Sequence, residues 1–374
     1  MKLLGNFHEI FWDATFWLPP NTTWKDFEKI NGSGRISTVN DLIFAWKLVP
    51  LLLILKYTFE KYVGAKLANW AGLEEKLREK PPTVMLLKRA YRESRGREWR
   101  ERDVLAFSKQ LNWSAQEVRQ WFRAKQIFES TPITDKIGES SWRFVFFTCI
   151  FSYGLWAHWT KDWFWNFKLC WENFPQPVSE ELYWYFIISF ANYSSWGVSH
   201  FWDVQRKDPK IMMFHHFVAL TLLSTQWMQR YHRIGLLICW YHDIGDLQLE
   251  LSKVLKYLKF KTACRWTFFL FTFVWILVRN IIFPFYLVTS IYNYSPHNVP
   301  LHFPFSCLHG SCSISSFQFT ATHVLLLCCW ALCLLHVYWT YLILRVLYLN
   351  LAFGIEEDDT VSDCEEEEHL KKKM

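Results

Sequence analysis

Motifs of several common enzyme classes are missing from this chain of 374 residues. It has no Gly-rich phosphate loop and no G-x-S-x-G nucleophile elbow, so nucleotide hydrolysis and serine-hydrolase chemistry lack support. Its ten Cys form no C-x-x-C pair, which argues against a zinc module and a disulfide scaffold. Its 13 His form no H-x-x-x-H or H-x-x-H-H box, which excludes the di-iron centre of membrane oxygenases.

Apolar and aromatic side chains are abundant instead. Aromatic residues make up 19% and hydrophobic residues 51% of the chain, yet its mean hydropathy is zero. Strongly apolar stretches are therefore averaged against strongly polar ones, which is typical of a polytopic membrane protein. We predict an all-α fold of about seven transmembrane helices, because seven runs approach the roughly 20 residues that a span needs. The runs are 42–59, 142–159, 182–202, 211–228, 234–251, 266–291 and 319–349.

The loops between these runs predict an orientation. Positions 76–125 carry 14 Lys and Arg against six Asp and Glu, and more basic residues follow the third and fifth runs. Basic loops stay in the cytosol, so seven spans put the N-terminus in the lumen and the C-terminus in the cytosol. Residues 1–41 are then a Trp-rich luminal segment whose sequon at Asn21 is glycosylated. Glu9 and Asp13 interrupt any signal-peptide run there.

The C-terminal segment 352–374 is predicted to be an acidic, disordered cytosolic tail. Positions 356–374 hold nine Asp and Glu and lack core-forming residues. Lys371 and Lys372 occupy the positions of a dilysine retrieval signal, which predicts residence in the endoplasmic reticulum membrane. Ser362 resembles the site of an acidophilic kinase. For each, the alternative is a solvated run of charges.

The polar segment 70–130 is predicted to be a helical cytosolic insert. Ser114 and Glu117 have the spacing of a capping box, which predicts the start of a helix over 118–128. W-F-R at 121–123 resembles the recognition helix of a homeodomain, but Ala124 stands where a homeodomain reads adenine with Asn. The segment also looks short for three helices. We therefore predict a structural or lipid-facing role and no nucleic-acid partner.

The fifth run concentrates ionisable side chains. Each Asp or Lys at the centre of a span costs roughly 2.5 to 3.5 kcal/mol on a translocon scale, so intramembrane charges are functional candidates. The alternative is a structural hydrogen-bond network between helices. By helical spacing four of these residues share one face, and Asp243 lies beside it. The four are His242, Asp246, Glu250 and Lys253.

The fourth run contributes the pair His215 and His216. Adjacent helical residues point about 100° apart, so we expect one imidazole to face the acidic residues and the other to pack against a neighbour. A zinc site of His215, His242 and Asp246 is a minor alternative. We predict that the protein needs neither a metal nor another cofactor.

Several of these motifs together resemble the TLC-domain signature of the ceramide synthases. The N-terminal F-W-L-P-P-N-T-T-W-K-D and the insert are similar to that family's luminal segment and truncated homeobox-like domain. The chain departs from the family pattern at R-A-K-Q-I-F over 123–128, at Pro209 and at A-N-Y-S-S-W-G in the third run. The signature motifs are F-W-D-V-Q-R-K-D at 201–208, H-H at 215–216, R-I-G at 233–235, H-D-x-x-D-x-x-x-E-x-x-K at 242–253 and F-P-F at 283–285.

The resemblance implies a TLC-type helical barrel over 140–351 that N-acylates a sphingoid base, sphinganine or sphingosine, with a fatty acyl-CoA. A His of the pair would act as nucleophile or general base, and Asp243 and Asp246 would assist deprotonation of the amine. His242, Glu250 and Lys253 would bind substrate or support the site. Arg206 and Lys207 would attract the anionic acyl-CoA at the mouth of the cavity.

Alternative functions stay open at this point. A TLC-type protein without catalytic activity would sense or carry lipids, a proton-coupled transporter would also use intramembrane Asp and His, and a membrane-anchored transcription regulator would use the insert. The preferred acyl length and dimerisation with itself or with related synthases are also open. Cys307 and Cys312 are either bridged or free.

Overall fold

The structure is a computed structural model that describes residues 12–20, 22–25, 35–73, 79–94, 99–129, 131–204, 208–297 and 319–353. These ranges are almost entirely helical, and an isolated β-bridge joins Arg35 to Val178. A 3-10 turn covers Phe167–Cys170, and a π-helix over Ile276–Val288 joins α11 to α12. The α-helices are α1 (Ala14–Trp17), α2 (Val39–Trp70), α3 (Met85–Ser94), α4 (Glu101–Leu111), α5 (Ala115–Glu129), α6 (Ile133–His158), α7 (Asp162–Trp165), α8 (Glu180–Ser199), α9 (Pro209–Met228), α10 (His232–Tyr257), α11 (Lys261–Trp275), α12 (Thr289–Tyr294) and α13 (Ala321–Phe353).

Some predicted features lie outside the described residues, and they stay predictions. They are the sequon at Asn21, the basic pair Arg206 and Lys207, the two thiols Cys307 and Cys312, the phosphorylation site Ser362 and the dilysine pair Lys371 and Lys372.

The seven predicted apolar runs fall in seven long helices, α2, α6, α8, α9, α10, the continuous helix over 261–294, and α13. Three of them are long and apolar enough to cross a membrane, namely Val39–Trp70, Lys261–Tyr294 and Ala321–Ala352. Large apolar side chains such as Leu51, Ile54, Phe273 and Leu334 point outward from these three helices, as expected of a surface that faces lipid. The all-α membrane fold is confirmed, and the number of seven spans stays a prediction.

Helix α10 occupies a central position, because it contacts α6, α8, α9, α11 and the π-helix. Helix α2 packs on the outside against α6 and α8. At its contact with α6 the two backbones touch, since a Cβ on Gly138 would lie 2.6 Å from the carbonyl oxygen of Glu60. Small residues permit such close approach between membrane helices. The long helices alternate in direction along the chain, so the described parts of the insert, residues 200–204 and the end of α13 share one end of the bundle. We name it the insert end.

The insert forms a hydrophobic core of its own. Its three helices, α3 to α5, bury Leu87, Val104, Val118 and Trp121 together with Phe122, whose ring stacks on other aromatics. The expectation that the segment is too short for three helices is therefore wrong: short helices suffice because aromatic side chains fill the space between them.

The predicted capping box of the insert is present. The backbone N–H of Ser114 donates to the carboxylate of Glu117 over 2.7 Å, and the backbone N–H of Glu117 donates to Ser114 Oγ over 3.1 Å. The hydrogen bond from the Ser114 backbone lowers the pKa of Glu117. The helix it starts runs from Ala115 to Glu129, close to the predicted 118–128.

The end of the bundle opposite the insert is closed by polar and aromatic contacts. The hydroxyl of Tyr231 hydrogen-bonds to His297 Nδ1, to Ser295 Oγ over 3.1 Å and to Thr322 Oγ1 over 3.3 Å. Burial lowers the pKa of His297 to about 4. Nearby, Trp17 of α1 is buried in one cluster with the start of α13. The described part of the N-terminal segment thus packs on the protein itself.

Candidate functional site

A buried ion pair joins α10 to the π-helix. Arg279 Nη2 donates to Asp246 Oδ1 over 2.6 Å and to the backbone oxygen of His242 over 3.2 Å. The ring of Trp275 lies 4.4 Å from the guanidinium carbon. The Arg279 side chain is 4% exposed and that of Asp246 25% exposed. Our sequence analysis missed Arg279, although it is the one charged residue of the 266–291 run and intramembrane charges signal function.

The π-helix explains how an Arg is held at this depth. Its backbone bonds join residues five apart, and Pro284 has no N–H to donate to the carbonyl of Arg279. His336 of α13 lies beside this segment, and its Nε2 is 3.4 Å from Arg279 Nη1. The widened helix thus leaves the Arg279 carbonyl without that backbone bond and directs the guanidinium towards α10 and α13.

Asp243 is held on the other side of α10. The phenol groups of Tyr185 and Tyr193, both on α8, donate to its two carboxylate oxygens over 3.0 and 3.2 Å. Asp243 is buried, whereas Tyr193 also lines the cavity described below. The two aspartates therefore have separate hydrogen-bond partners.

The imidazoles of His215 and His216 diverge towards different helices. The His215 ring meets Trp339 of α13 edge-on at 5.2 Å between ring centroids, and the His216 ring meets His200 at 5.8 Å. We expected only one of the pair to face the acidic residues. The structure places both on the wall of one cavity, because that cavity extends around the helix on both sides of the pair.

This cavity has a volume of about 490 Å³ and runs from the catalytic candidates to the insert end. Its deep part is lined by Tyr193, His215, His216, Asp246 and Arg279. Its walls are apolar and largely aromatic, with four Phe from α11 and α6 among them. Five basic side chains line it towards the insert end, namely Lys253, Lys256, Lys261, Arg265 and Arg345.

The other candidates of the fifth run divide between cavity and core. Glu250 and Lys253 line the cavity and form an ion pair of 3.2 Å. The ring of His242 packs instead against Phe283 and His336, at centroid distances of 4.9 and 5.1 Å. Its Nδ1–H donates to the backbone oxygen four residues earlier over 2.6 Å, so His242 supports the site from behind.

Within the described ranges, no three His, Cys, Asp or Glu side chains are grouped so that they could hold a metal ion. The alternative zinc site of His215, His242 and Asp246 thus lacks a ligand set. Asp246 is engaged by Arg279, and the His242 ring faces the core.

Comparisons with known proteins agree with this architecture. Residues 136–345 match the TLC-domain family, close to the predicted 140–351. The chain is 32% identical to human (Homo sapiens) ceramide synthase 4 over 367 residues, which cover 97% of this chain and 88% of that protein. It is 32% identical to human ceramide synthase 5 over 355 residues, covering 95% and 86%. It is 32% identical to Mus musculus ceramide synthase 3 over 366 residues, covering 97% and 90%. A resemblance of this extent, over almost the whole chain, establishes that the chain belongs to the ceramide synthase family of TLC-domain membrane proteins.

Proposed function

We propose that the protein transfers the acyl group of a fatty acyl-CoA to the amine of a sphingoid base in the endoplasmic reticulum membrane. The observation that carries this proposal is that one cavity joins a cationic mouth, apolar walls and the His pair. The family assignment supports ceramide synthesis. The two substrates and the roles of the residues below are our proposal.

The mouth of the cavity suits the phosphates of CoA. Five basic side chains line it at the insert end, which our topology places in the cytosol with acyl-CoA. Clustered charge of one sign attracts an oppositely charged substrate and raises its local concentration. Lys253 lies seven residues beyond Asp246 on α10, which is roughly 10 Å along the helix. A thioester can therefore reach the deep part while the phosphates stay at the mouth.

His215 is our candidate nucleophile. It lines the cavity on the side of α13, where its ring meets Trp339. A ring nitrogen attacks the thioester carbon, the C–S bond breaks, and the acyl group rests on the imidazole. The proton of the other ring nitrogen passes to the sulfur, so CoA leaves as the thiol. Arg279 lines the deep part of the cavity, where its positive charge favours the oxyanion that forms during this attack.

The sphingoid amine arrives as a cation and must lose a proton before it attacks. Asp246 is partly exposed to the cavity and attracts the ammonium group, and Asp243 adds negative charge behind Tyr193. His216, on the same wall, takes the proton as general base. The free amine then attacks the acyl carbon, the bond to His215 breaks, a second proton passes from the amine to the His215 ring, and the amide is released.

An assay with purified protein tests the proposal. Wild-type protein in detergent is incubated with sphinganine and acyl-CoA esters of several chain lengths, and N-acyl product is measured by mass spectrometry. We expect product with at least one chain length, and none from the His215→Ala variant. Acyl-CoA alone should add one acyl mass to the wild-type protein, and sphinganine should remove it. A protein that binds both lipids without forming product would instead be a lipid sensor.

A further inference from the structure

The proposed reaction leaves one proton behind in each turnover. A sphingoid ammonium ion and an acyl thioester contain one proton more than the amide and the thiol that they become. If His216 accepts that proton, it must release it before the next cycle. The inference below rests on the proposed function and concerns the route by which the proton leaves.

A second, small pocket adjoins the large cavity at His216. Its volume is about 20 Å³, which is enough for roughly one water molecule. His216 borders both spaces, and the backbone walls of the pocket come from the ends of α8 and α9 at the insert end. The pocket is lined by Arg143, Trp196, His200, Asp203, Val204, Met212 and His216.

Two imidazoles face each other across this pocket. The ring centroids of His200 and His216 are 5.8 Å apart and nearly perpendicular. His216 Nδ1 is buried, and no hydrogen-bond partner for it is found among the described residues. Because both residues line the pocket, a water held there can contact both side chains and bridge them. His200 follows the last residue of α8 and is only half-buried, so its far side reaches the insert end.

The other charged groups around the pocket are already engaged. Asp203 accepts hydrogen bonds from Ser199 over 2.6 Å and from Tyr57 over 3.1 Å, and it also pairs with Lys56. Arg143 lies 2.9 Å from Glu139 and 4.0 Å from Asp203. The Asp203 carboxylate and the Arg143 guanidinium are thus already paired within the protein.

The imidazole of His200 is therefore the group at this pocket best suited to exchange protons. Two groups of opposite charge, Asp203 and Arg143, line the same pocket as His200. His215 is a further titratable neighbour of His216. An imidazole can accept a proton on one ring nitrogen and donate a proton from the other, as a proton shuttle requires.

We propose that His200 and a water in this pocket form the proton outlet of the site. His216 receives the proton of the ammonium group and passes it to the water, which gives one of its own protons to His200. His200 then releases that proton to solvent at the insert end. Each step breaks one bond to hydrogen and forms another, and no further reactant is needed.

The test compares wild type with His200→Gln and with Phe201→Leu, a matched control at an exposed neighbouring position. The rate kcat and KM are measured across pH at low buffer concentration, with and without added imidazole. We expect His200→Gln to lower kcat about tenfold or more with KM unchanged, and imidazole to restore it by carrying the proton. Phe201→Leu should behave as wild type.

Three results would overturn the outlet. The first is wild-type kcat with an unchanged pH profile in His200→Gln. The second is a loss that imidazole does not restore, which indicates a structural role. The third is wild-type protein without N-acyl product, which removes the proposed function and the surplus proton with it. In the first two results wild type remains active, so failure of the outlet is distinguished from failure of the function.

Discussion

The Arg279–Asp246 ion pair can be broken from either side, and we predict that the two substitutions lower the free energy of unfolding by different amounts. Asp246→Asn leaves a guanidinium that is 4% exposed without its counter-charge, whereas Arg279→Met leaves a carboxylate that is 25% exposed to the cavity. The stranded Asp can be hydrated through the cavity and the stranded Arg cannot. We therefore expect Asp246→Asn to destabilise the protein more than Arg279→Met does.

The magnitudes follow from the burial of each partner. Breaking a buried ion pair from one side costs about 3 to 5 kcal/mol. The cost of Asp246→Asn should lie at the lower end of this range, about 3 kcal/mol, because the Asn amide oxygen can still accept one hydrogen bond from Arg279. Arg279→Met leaves a partly hydrated carboxylate and should cost about 1 to 2 kcal/mol. The double variant leaves no unpaired charge, so its cost should fall below the sum of the two by about 1 kcal/mol or more.

The free energy of unfolding is measured for the four proteins by SDS titration in mixed micelles, followed by Trp fluorescence. Arg279→Lys is the control that keeps the charge without the planar guanidinium. The reasoning is refuted if Arg279→Met is the more costly single change. It is equally refuted if the two costs simply add, because the ion pair would then contribute nothing of its own.

Three further outcomes are expected. Ala at either member of the His215–His216 pair should lower N-acyl product at least about a hundredfold without preventing membrane insertion, and wild-type turnover by the double variant would contradict their assignment. The pKa of His297 falls to about 4 on folding, below the roughly 6.5 of an unfolded His, so the native state binds fewer protons. The free energy of unfolding should therefore decline as pH falls from about 6.5 to 4. His297→Gln should flatten that decline in an acid-unfolding curve. A glycosidase should shift the electrophoretic mobility of wild type and leave Asn21→Gln unshifted, and a mobility shift that survives in the variant would contradict the luminal assignment of this sequon.

Much of the helix plan was predictable, because it depends on local signals. Apolar runs placed seven long helices, and the capping box at Ser114 placed the start of α5. The ionisable residues of α10 and the His pair were found because charge in an apolar run is costly wherever it faces. These signals need no knowledge of which helices are neighbours.

The partners of those residues depend on tertiary contacts, and sequence spacing does not reveal them. Asp243 meets Tyr185 and Tyr193 only because α8 packs beside α10. Regular helical spacing put His242 on one face of α10 with Asp246, Glu250 and Lys253, yet its ring packs against Phe283 and His336 while the other three line the cavity. The same spacing misplaces side chains in the π-helix, where Arg279 lies. His200 gave no sequence signal, since its relation to His216 arises where α8 and α9 meet.

The thirteen residues of the π-helix also make segment length a determinant of the site. A residue deleted between Arg279 and the end of the π-helix would let the wide turns tighten and would rotate the guanidinium by about 100° relative to the residues that follow. Asp246 would then face a different side chain although neither member of the pair had changed. Insertions and deletions in this segment therefore alter the geometry of the candidate site without changing any of its residues. An alignment that scores only residue identity would not reveal this effect.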